Sequence, residues 1–430
     1  MASFHDNDFS DIDDTEIEYM MGFNETVNDS DISMSSDDDS DDDVPLVDLI
    51  QRQNVNRRDE EVGGVQEWSA NFTPINVNVF SGNPGPSVSM DVNKTEMDFL
   101  NLLFTPQMIQ QIVDETNKYA TKKQLDKPDD KWRNVTFSEI RAYLGFQIVM
   151  GIIAAPNLDM YWSSDPLFSP CGIKERMTRD RYDKISKYFH VADTSCNPAR
   201  GQPGHDKLSH VQPILEAVRV NLMANYKPHR ETTVDEAMIG YTGRLGFKQY
   251  VPMKPTKRGI KVWVRADPHN GYVNDIQVYL GKENRDGDKG LGERVVMDLV
   301  TPVLNRGHCI VTVGLFEELQ QQGTYACGTF RSNRRGIPDE IKQQKLKEQG
   351  TSITMQKGNM VATAWRDKKT VFILSTNFDP TTPRTTVQRR QKDGSQKDVS
   401  CPESVRNYTK YMNGVDHADQ LRACNSLTKY

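Results

Sequence analysis

The sequence has few cysteines and no long apolar run, and both absences exclude classes of protein. Its six cysteines are Cys171, Cys196, Cys309, Cys327, Cys401 and Cys424, and none form a C-x-x-C pair. This argues against a disulfide framework or a zinc module and favours a reducing compartment. The longest apolar run, "AYLGFQIVMGIIAAP", is too short to span a bilayer and predicts a buried helix. The acidic first residues contain no apolar leader, so we expect neither a signal peptide nor a membrane partner.

Basic residues are scarce in the first part of the chain. Residues 1–61 contain 20 acidic and 3 basic residues, a net charge of −17. The whole chain has 60 acidic and 53 basic residues, so the remainder carries 40 and 50, a net charge of +10. An acidic arm on a basic body favours a protein that binds a polyanion and carries a regulatory or interaction tail. The alternative is a solvated tail on an ordinary globular protein.

The pattern of apolar residues predicts an acidic tail followed by a helical region. Residues 1–95 are too polar to offset the entropy of ordering, so we predict a disordered acidic N-terminus. Residues 96–227 contain apolar residues at helical spacing. Pro106 divides the first two predicted helices, and Thr136 with Glu139 forms a capping box at the start of a third.

Strand-like segments begin near residue 228. "TTVDEAMIGY", "KVWVRADP", "YVNDIQVYL", "HCIVTV" and "TYACGTF" lie within 228–330, and "ADPHNGYV" predicts a hairpin turn between two of them. A helical stretch separates the third strand from the fourth, so a mixed sheet with flanking helices is expected. Residues 331–400 are basic and irregular apart from one strand pair, "NMVATAWRD" with "KTVFILST". Residues 401–430 read as helices interrupted at Asn413-Gly414.

Three motifs carry groups with possible chemistry. Asp235 lies inside an apolar strand, where a carboxylate needs a cation; the alternative is an ordinary ion pair with a base such as Arg244. Asp416 and Asp419 are three residues apart, on one face of a helix, and could hold Mg²⁺, although most such pairs are solvated surface.

The third motif is a cluster of basic residues with aromatic residues between them, a pattern that is typical of surfaces that bind a phosphate backbone. A solvated basic loop is the alternative. The residues are Arg244, Lys248, Lys254, Lys257, Arg258 and Lys261, with a second group formed by Arg331, Arg334 and Arg335.

Several of these motifs, in this order, resemble the piggyBac transposase family and its host-domesticated descendants. They include "TTVDEAMIGYTGR", "KQYVPMKPTKRGIKVWV", "GTFRSNRRGIP", "VATAWRDKKTVFILST" and "MNGVDHADQL". "FSEIRAYLGFQIVMGI" and "RYDKISKYFHVAD" resemble the helical region that precedes the catalytic core of that family. The resemblance runs from about residue 97 to the last residue.

The resemblance implies an α/β fold with a ribonuclease H-like core. Residues 96–227 would be a helical dimerisation or DNA-binding domain, 228–330 the first part of the core, 331–400 an insertion, and 401–430 the start of its last helices. It also implies cut-and-paste transposition at TTAA targets, double-stranded DNA as partner, a homodimer and a nuclear location. Asp235, Asp416 and Asp419 would be the catalytic, metal-binding residues for Mg²⁺ or Mn²⁺. Trp365 would stack on an unpaired base, unless it is a packing residue.

Two departures from the family pattern shape the functional prediction. The family's second catalytic aspartate ends the fourth strand, but here "HCIVTV" runs into "GLFEELQ" with no aspartate between Thr312 and Val313. Glu317 and Glu318 lie a turn into the helix, too far round to substitute. The remainder of the catalytic domain and the cysteine-rich zinc module are not found in the sequence.

We therefore predict a DNA-binding, transposase-derived protein that is defective in catalysis. One alternative is an active transposase represented by an incomplete sequence. The other is a non-catalytic nuclear protein that recruits chromatin or protein partners through its acidic tail.

Overall fold

The computed structural model describes residues 67–89, 93–165, 172–252, 254–281, 290–312, 315–334, 336–391 and 394–424. These residues form two compact units. The first unit contains residues 79–281, 295–311 and 411–424 of the described chain, and the second contains 67–78, 290–294 and 312–410. The predicted insertion, 331–400, is in the second unit together with residues 312–330.

The first unit begins with the predicted helical region. Its helices are α1 (Glu96–Leu103), α2 (Pro106–Asp126), α3 (Phe137–Ile152), a 3-10 turn (Leu158–Trp162), α4 (Ile173–Arg176), α5 (Arg179–Tyr188) and α6 (Gln212–Asn225).

Local capping chemistry fixes where these helices start. Thr105 caps α2 with its side chain, and Pro106 occupies the first turn, where a missing N–H costs nothing. Thr136 and Glu139 form the predicted capping box of α3, with each side chain accepting the other residue's backbone N–H. The predicted helix boundaries at Pro106 and Thr136 are therefore confirmed.

Helices α2, α3 and α5 share a core in which Ile112, Ile140 and Ile185 are almost fully buried. The prediction that the longest apolar run is a buried helix is only partly right. In α3, Phe146 and Met150 enter the core, but Ile148 lies on the opposite face and Ile152 is 70% exposed. The run is apolar on all sides of the helix, whereas only one of its faces meets the core.

The sheet of the first unit is mixed, as predicted. A short pair, β1 (Gly85–Pro86) and β2 (Tyr226–Lys227), precedes it. Its strands are β3 (Glu231–Gly240), β4 (Gln249–Tyr250), β5 (Arg258–Asp267), β6 (Tyr272–Val278) and β7 (Cys309–Val311). Strand β5 pairs antiparallel with β3, β4 and β6, and β7 runs parallel to β3. The β5–β6 hairpin confirms the turn read from "ADPHNGYV". Helix α7 (Leu291–Val300) comes before β7 in the chain.

The second unit consists mainly of antiparallel strands. Its strands are β8 (Tyr325–Thr329), β9 (Ser352–Lys357), β10 (Met360–Arg366), β11 (Thr370–Ser375), β12 (Thr385–Arg390) and β13 (Gln396–Cys401). Strands β8, β11, β10 and β9 are neighbours in that order, and β12 and β13 form a separate hairpin. The predicted β10–β11 strand pair is confirmed. The helices are α8 (Phe316–Gln321), α9 (Asp339–Lys342) and α10 (Glu403–Tyr411).

The last described helix, α11 (Gly414–Cys424), lies against the sheet of the first unit. The predicted break at Asn413-Gly414 separates it from α10. Glycine is required there because a Cβ on Gly414 would lie 2.9 Å from the Thr233 hydroxyl and 3.1 Å from Pro268 Cα. Val415 then packs with Ala237 and Val262. This close approach brings the first turn of α11 onto β3.

The predicted boundary of the acidic tail, at residue 95, is too late. In the second unit, the Ser69 N–H donates to Gln356 O over 2.9 Å, and the Trp68 ring donates to Gly336 O. In the first unit, the Ser81 N–H donates to Arg306 O over 3.1 Å. Residues 67–89 find backbone partners that their polar sequence does not reveal, whereas 1–66 lie outside the described residues. Within the described part of the chain, none of the helices is long and apolar enough to cross a membrane.

We predict that the helical region depends on Arg181, whose side chain is 9% exposed. It donates to Glu139 over 2.8 and 2.9 Å and to two backbone carbonyls. Arg181→Ala leaves Glu139 with the exposed Arg133, 2.7 Å away, as its ion-pair partner and removes the hydrogen bonds of the buried guanidinium. It should lower the free energy of unfolding by about 1.5–3 kcal/mol in urea denaturation. The matched variant Lys118→Ala removes an exposed ion pair with Asp193 and should change stability far less. Equal losses in the two variants would contradict this account.

Candidate carboxylate site and basic loop

Asp235 lies in the middle of β3, on the face of the sheet that meets α11. On the same face, the Thr233 hydroxyl donates to Tyr411 O over 2.7 Å, and Ala237 packs with Val415. The Asp235 carboxylate accepts the Glu236 N–H over 2.8 Å. Burial, reinforced by the nearby charge of Asp416, raises the pKa of Asp235. The strand therefore holds a carboxylate where its charge is poorly solvated.

Asp416 and Asp419 reach the same region from α11. Burial raises the pKa of Asp416, and the charge of Asp419 adds to that rise. Asp419 also accepts from Arg422 over 3.2 Å, and the same guanidinium donates to Met238 O on β3 over 2.9 Å. The structure thus brings together Asp235, Asp416 and Asp419, which we call the carboxylate site. Their catalytic and metal-binding role, which the family resemblance implies, stays a prediction.

Lys254 supplies positive charge to this site. Its Nζ donates to Glu236 O over 3.1 Å, next to Asp235 along β3. Although burial opposes it, the negative charge of Asp235, Asp416 and Asp419 raises the pKa of Lys254. The Val251 N–H donates to Lys257 O over 2.8 Å, which closes a turn that carries Lys254 back toward β3. The sequence left an ion pair between Asp235 and Arg244 as an alternative. The structure instead places Lys254 as the cation near Asp235, and Arg244 is exposed.

The donor set of the carboxylate site fits a divalent cation that prefers oxygen ligands. Two of its carboxylates have raised pKa values, so their charge is incompletely balanced. Lys254 and Arg422 supply two positive charges against three carboxylates, which leaves the site negative when all three are ionised. Asp235, Asp416 and Asp419 are the residues that would hold Mg²⁺ or Mn²⁺.

Five of the ten predicted DNA-binding residues are exposed. Residues 244–258, which we call the basic loop, expose Arg244, Lys248, Lys257 and Arg258. The Arg258 guanidinium lies 5.0 Å from the ring centroid of Tyr250, itself exposed. In the second unit, Arg331 is exposed and Arg334 is half-buried, whereas Arg335 lies outside the described residues.

Three predicted DNA-binding residues are not available to DNA. Lys254 faces the carboxylate site. Lys261 pairs with Glu236 over 2.6 Å and lies over the rings of Trp263 and Tyr279. Trp365 is 0% exposed, and its ring N–H donates to Ser400 O over 2.8 Å. A base cannot stack on a fully enclosed ring, so Trp365 is the packing residue that the sequence left as an alternative.

The end of β7 is where the sequence lacks an aspartate. Strand β7 is parallel to β3, with Val311 opposite Thr233. Val313 and Gly314 lie outside the described residues, and Leu315 has a left-handed backbone, with φ of 55°. Glu317 on α8 lies 3.7 Å from Lys357, an ion pair within the second unit.

Sequence reasoning missed a group of side chains near the start of β3. His229, Asp267 and His269 each place one possible ligand atom within 4.8 Å of the others. Both histidines follow a proline, in "KPHR" and "DPHN", but they are 40 residues apart. The β5–β6 hairpin, which the sequence did predict, is the feature that returns the chain to this place.

Comparison with known proteins agrees with the fold. A family model described as Transposase IS4 matches residues 95–427. Human PiggyBac transposable element-derived protein 3 is 27% identical over 409 residues, covering 91% of this chain and 66% of that protein. Human PiggyBac transposable element-derived protein 5 is 25% identical over 376 residues, covering 82% of this chain and 69% of that protein.

A solved structure of a piggyBac transposase synaptic complex with hairpin DNA matches with a TM-score of 0.66 and 26% identity. The match covers 80% of this chain and 71% of that one. This chain spans about two thirds of the length of the first of these relatives. Since the family model covers more than half of the chain, this protein belongs to the piggyBac transposase family and is a transposase-derived protein.

Proposed function

We propose that this protein binds duplex DNA without cutting it. The observation that carries the proposal is an exposed basic loop beside a carboxylate site, in a sequence that has no aspartate between Thr312 and Leu315. The loop supplies what DNA binding requires. The carboxylate site lacks one of the groups that strand cleavage requires in this family.

The basic loop suits the DNA backbone because its charges are exposed and close together. Lys248, Lys257 and Arg258 lie at its surface, and the described residues around them show no acidic ion-pair partner for these three. Cations on a protein surface displace the counterions of phosphates, and this is the main source of sequence-independent DNA affinity. Tyr250 beside Arg258 offers a ring face for an unpaired base.

The missing aspartate bears on cleavage because the family pattern places its second catalytic aspartate at the end of the fourth strand, which is β7 here. Strand β7 runs parallel to β3, with Val311 opposite Thr233. It therefore runs in the same direction as the strand that carries Asp235.

Asp235, Asp416 and Asp419 are the residues that would hold Mg²⁺ or Mn²⁺ in this protein. Divalent metals at such a site activate water and stabilise the leaving 3′ oxygen. Removing groups that only position metal ligands already costs about 10–100-fold in metal affinity or activity, and losing a ligand should cost more. We therefore infer weak metal binding and no effective strand cleavage.

The solved transposase supports DNA as the partner and self-association as the mode of assembly, because it was determined in a synaptic complex with hairpin DNA. Binding to chromosomal DNA implies a nuclear location. Recruitment of chromatin or protein partners through the acidic tail remains a prediction, and residues 1–66 lie outside the described part of the chain.

An active transposase is the second candidate function. The observation in its favour is that the three carboxylates lie near one another: the charge of Asp416 raises the pKa of Asp235, and the charge of Asp419 raises the pKa of Asp416. Strand cleavage by the unmodified protein distinguishes the two candidates.

We predict that DNA affinity depends on the basic loop and not on metal. The variant Lys248→Gln/Lys257→Gln/Arg258→Gln should bind a duplex more weakly. The slope of log K against log salt should fall by up to about 2.7, since each phosphate contact contributes about 0.9. Fluorescence anisotropy over a salt series measures both, and EDTA should leave the wild-type affinity unchanged.

The charge-matched control for this prediction is Lys122→Gln/Lys123→Gln/Lys127→Gln, at the exposed end of α2. It should lose less affinity than the loop variant. If the two variants lose the same affinity, or if EDTA abolishes binding, the basic loop is not the DNA-binding surface.

We predict that Asp416→Asn stabilises the protein at neutral pH. Burial raises the pKa of Asp416 in the folded state, so its charged form opposes folding at any pH above that raised pKa. As the pH falls toward the ordinary value of 3.8, the carboxylate becomes protonated and this cost disappears. Urea denaturation in EDTA should show a gain in stability at pH 7.5 that shrinks at pH 4.

Asp114→Asn on the exposed face of α2 is the control and should show little pH-dependent difference. A loss of stability in Asp416→Asn at pH 7.5 would show that the charge of Asp416 supports the fold, contrary to this prediction.

A further inference from the structure

A second group of possible metal ligands lies at the other end of β3 from Gly240. His229 precedes β3, Glu231 begins it, and Asp267 and His269 lie at the β5–β6 turn. One ligand atom from each of His229, Asp267 and His269 lies within 4.8 Å of the others. Glu231 is four residues from Asp235, a separation of about 13 Å along an extended strand. This histidine cluster is therefore distinct from the carboxylate site.

Asp267 is the fixed point of the histidine cluster. It is 0% exposed, and its Oδ2 accepts from the His229 N–H over 2.9 Å and from the Tyr226 hydroxyl over 3.2 Å. Its Oδ1 accepts the His269 N–H over 2.9 Å. With these bonds made, the carboxylate is satisfied by the protein. Asp267 is suited to orienting a ligand and not to binding the ion itself.

His229 has the orientation that a metal-binding histidine needs. Its Nδ1 lies 2.8 Å from the Asp267 carboxylate, which can only accept, so Nδ1 carries the proton. The lone pair of a neutral ring is then on Nε2. Metal-binding histidines usually donate their second ring N–H to a carboxylate or carbonyl in this way. A buried aspartate has thus selected one tautomer of a half-exposed histidine.

His269 and Glu231 complete a three-residue donor set. The His269 Nε2 is 3.5 Å from the Glu231 carboxylate, longer than the roughly 2.7–2.9 Å of a good charge-assisted hydrogen bond. Two ligands that are each about 2.0–2.1 Å from a tetrahedral zinc ion are roughly 3.4 Å apart. The His229 and His269 rings are stacked, with centroids 4.2 Å apart and planes inclined by 25°, which places the two imidazoles side by side.

We propose that His229, His269 and Glu231 bind Zn²⁺, with Asp267 as the residue that positions His229. Two imidazoles and one carboxylate favour a borderline transition metal, whereas Mg²⁺ prefers an all-oxygen site. The side chains of His229 and His269 are about one third exposed, which gives the ion access from solvent. Three protein ligands leave a fourth position for water.

The histidine cluster lies close to α11, so a metal bound there would affect how this helix meets the sheet. The His269 ring lies 5.2 Å from the Tyr411 ring, and Tyr411 O accepts from Thr233 on β3. Gly271, in the β5–β6 turn, approaches His417 on α11 closely. A bound ion would link the start of β3 to this turn and stiffen the place where α11, with Asp416 and Asp419, meets the sheet.

The test is titration of the chelator-treated full chain with Zn²⁺ by calorimetry and with Co²⁺ by visible absorption. We expect one site per chain, a tetrahedral Co²⁺ spectrum without thiolate bands, a rise in Tm with Zn²⁺, and no competition from Mg²⁺. His269→Ala and Glu231→Gln should each weaken binding at least about 10-fold. Both side chains are partly exposed, and circular dichroism of each apo-variant checks that it folds.

The control variant His210→Ala removes an exposed histidine outside the cluster and should bind Zn²⁺ like the wild type. The proposal is overturned if the wild type shows no Zn²⁺ binding, or if His269→Ala and Glu231→Gln retain wild-type affinity. It is also overturned if Cys196→Ser/Cys424→Ser, which removes the two cysteines that are exposed among the described residues, abolishes binding.

Discussion

The concentration of carboxylates between β3 and α11 is the constraint on which the rest of the first unit depends. Asp235 and Asp416 are both poorly solvated, and burial raises the pKa of each; the charge of Asp416 adds to the rise at Asp235, and the charge of Asp419 to that at Asp416. Such a group of acids is stable only near positive charge. Lys254 provides that charge from a turn of the basic loop, and Arg422 provides more from α11. Helix α11 can approach closely enough only because residue 414 is glycine.

This constraint divides the basic loop into two sets of residues. Lys254 faces inward and balances the carboxylate site, whereas Lys248, Lys257 and Arg258 remain on the surface. The outer set can act on a phosphate backbone without disturbing the inner one. Binding and cleavage are therefore separable in physical terms, and the proposed function keeps the first while losing the second. A metal ion bound at the histidine cluster, at the far end of β3, would stiffen the contact of α11 with the sheet.

Local chemistry made much of the fold predictable from the sequence. Capping by Thr136, the turn before Gly271 and the break before Gly414 each depend on residues that are neighbours in the chain. The mixed sheet and its flanking helices follow from the order of these segments, and the structure confirms them. Asp235 and the Asp416–Asp419 pair could each be identified within their own segment, and the family resemblance joined them into one set.

The remaining features depend on contacts between distant segments. Lys254 and Lys257 look alike in sequence, and only the hydrogen bond between Val251 and Lys257 directs one of them inward. Trp365 could have been exposed, but Ser400 and Arg389, from the β12–β13 hairpin, enclose its ring. His229 and His269 meet only after the hairpin has formed. The exposure of a side chain and its hydrogen-bond partners depend on tertiary contacts. Residue type and spacing therefore cannot predict them.

The central claim is that DNA binding persists in this protein without strand cleavage. The most direct measurement is nicking of a duplex with a TTAA-flanked end, in Mg²⁺ and in Mn²⁺, by the unmodified chain. A version with an aspartate inserted between Thr312 and Val313, with and without Asp235→Asn, provides the comparison. The account predicts a bound but intact duplex with the unmodified chain, and nicking by the inserted version that Asp235→Asn abolishes. Nicking by the unmodified chain that disappears with Asp235→Asn would contradict it.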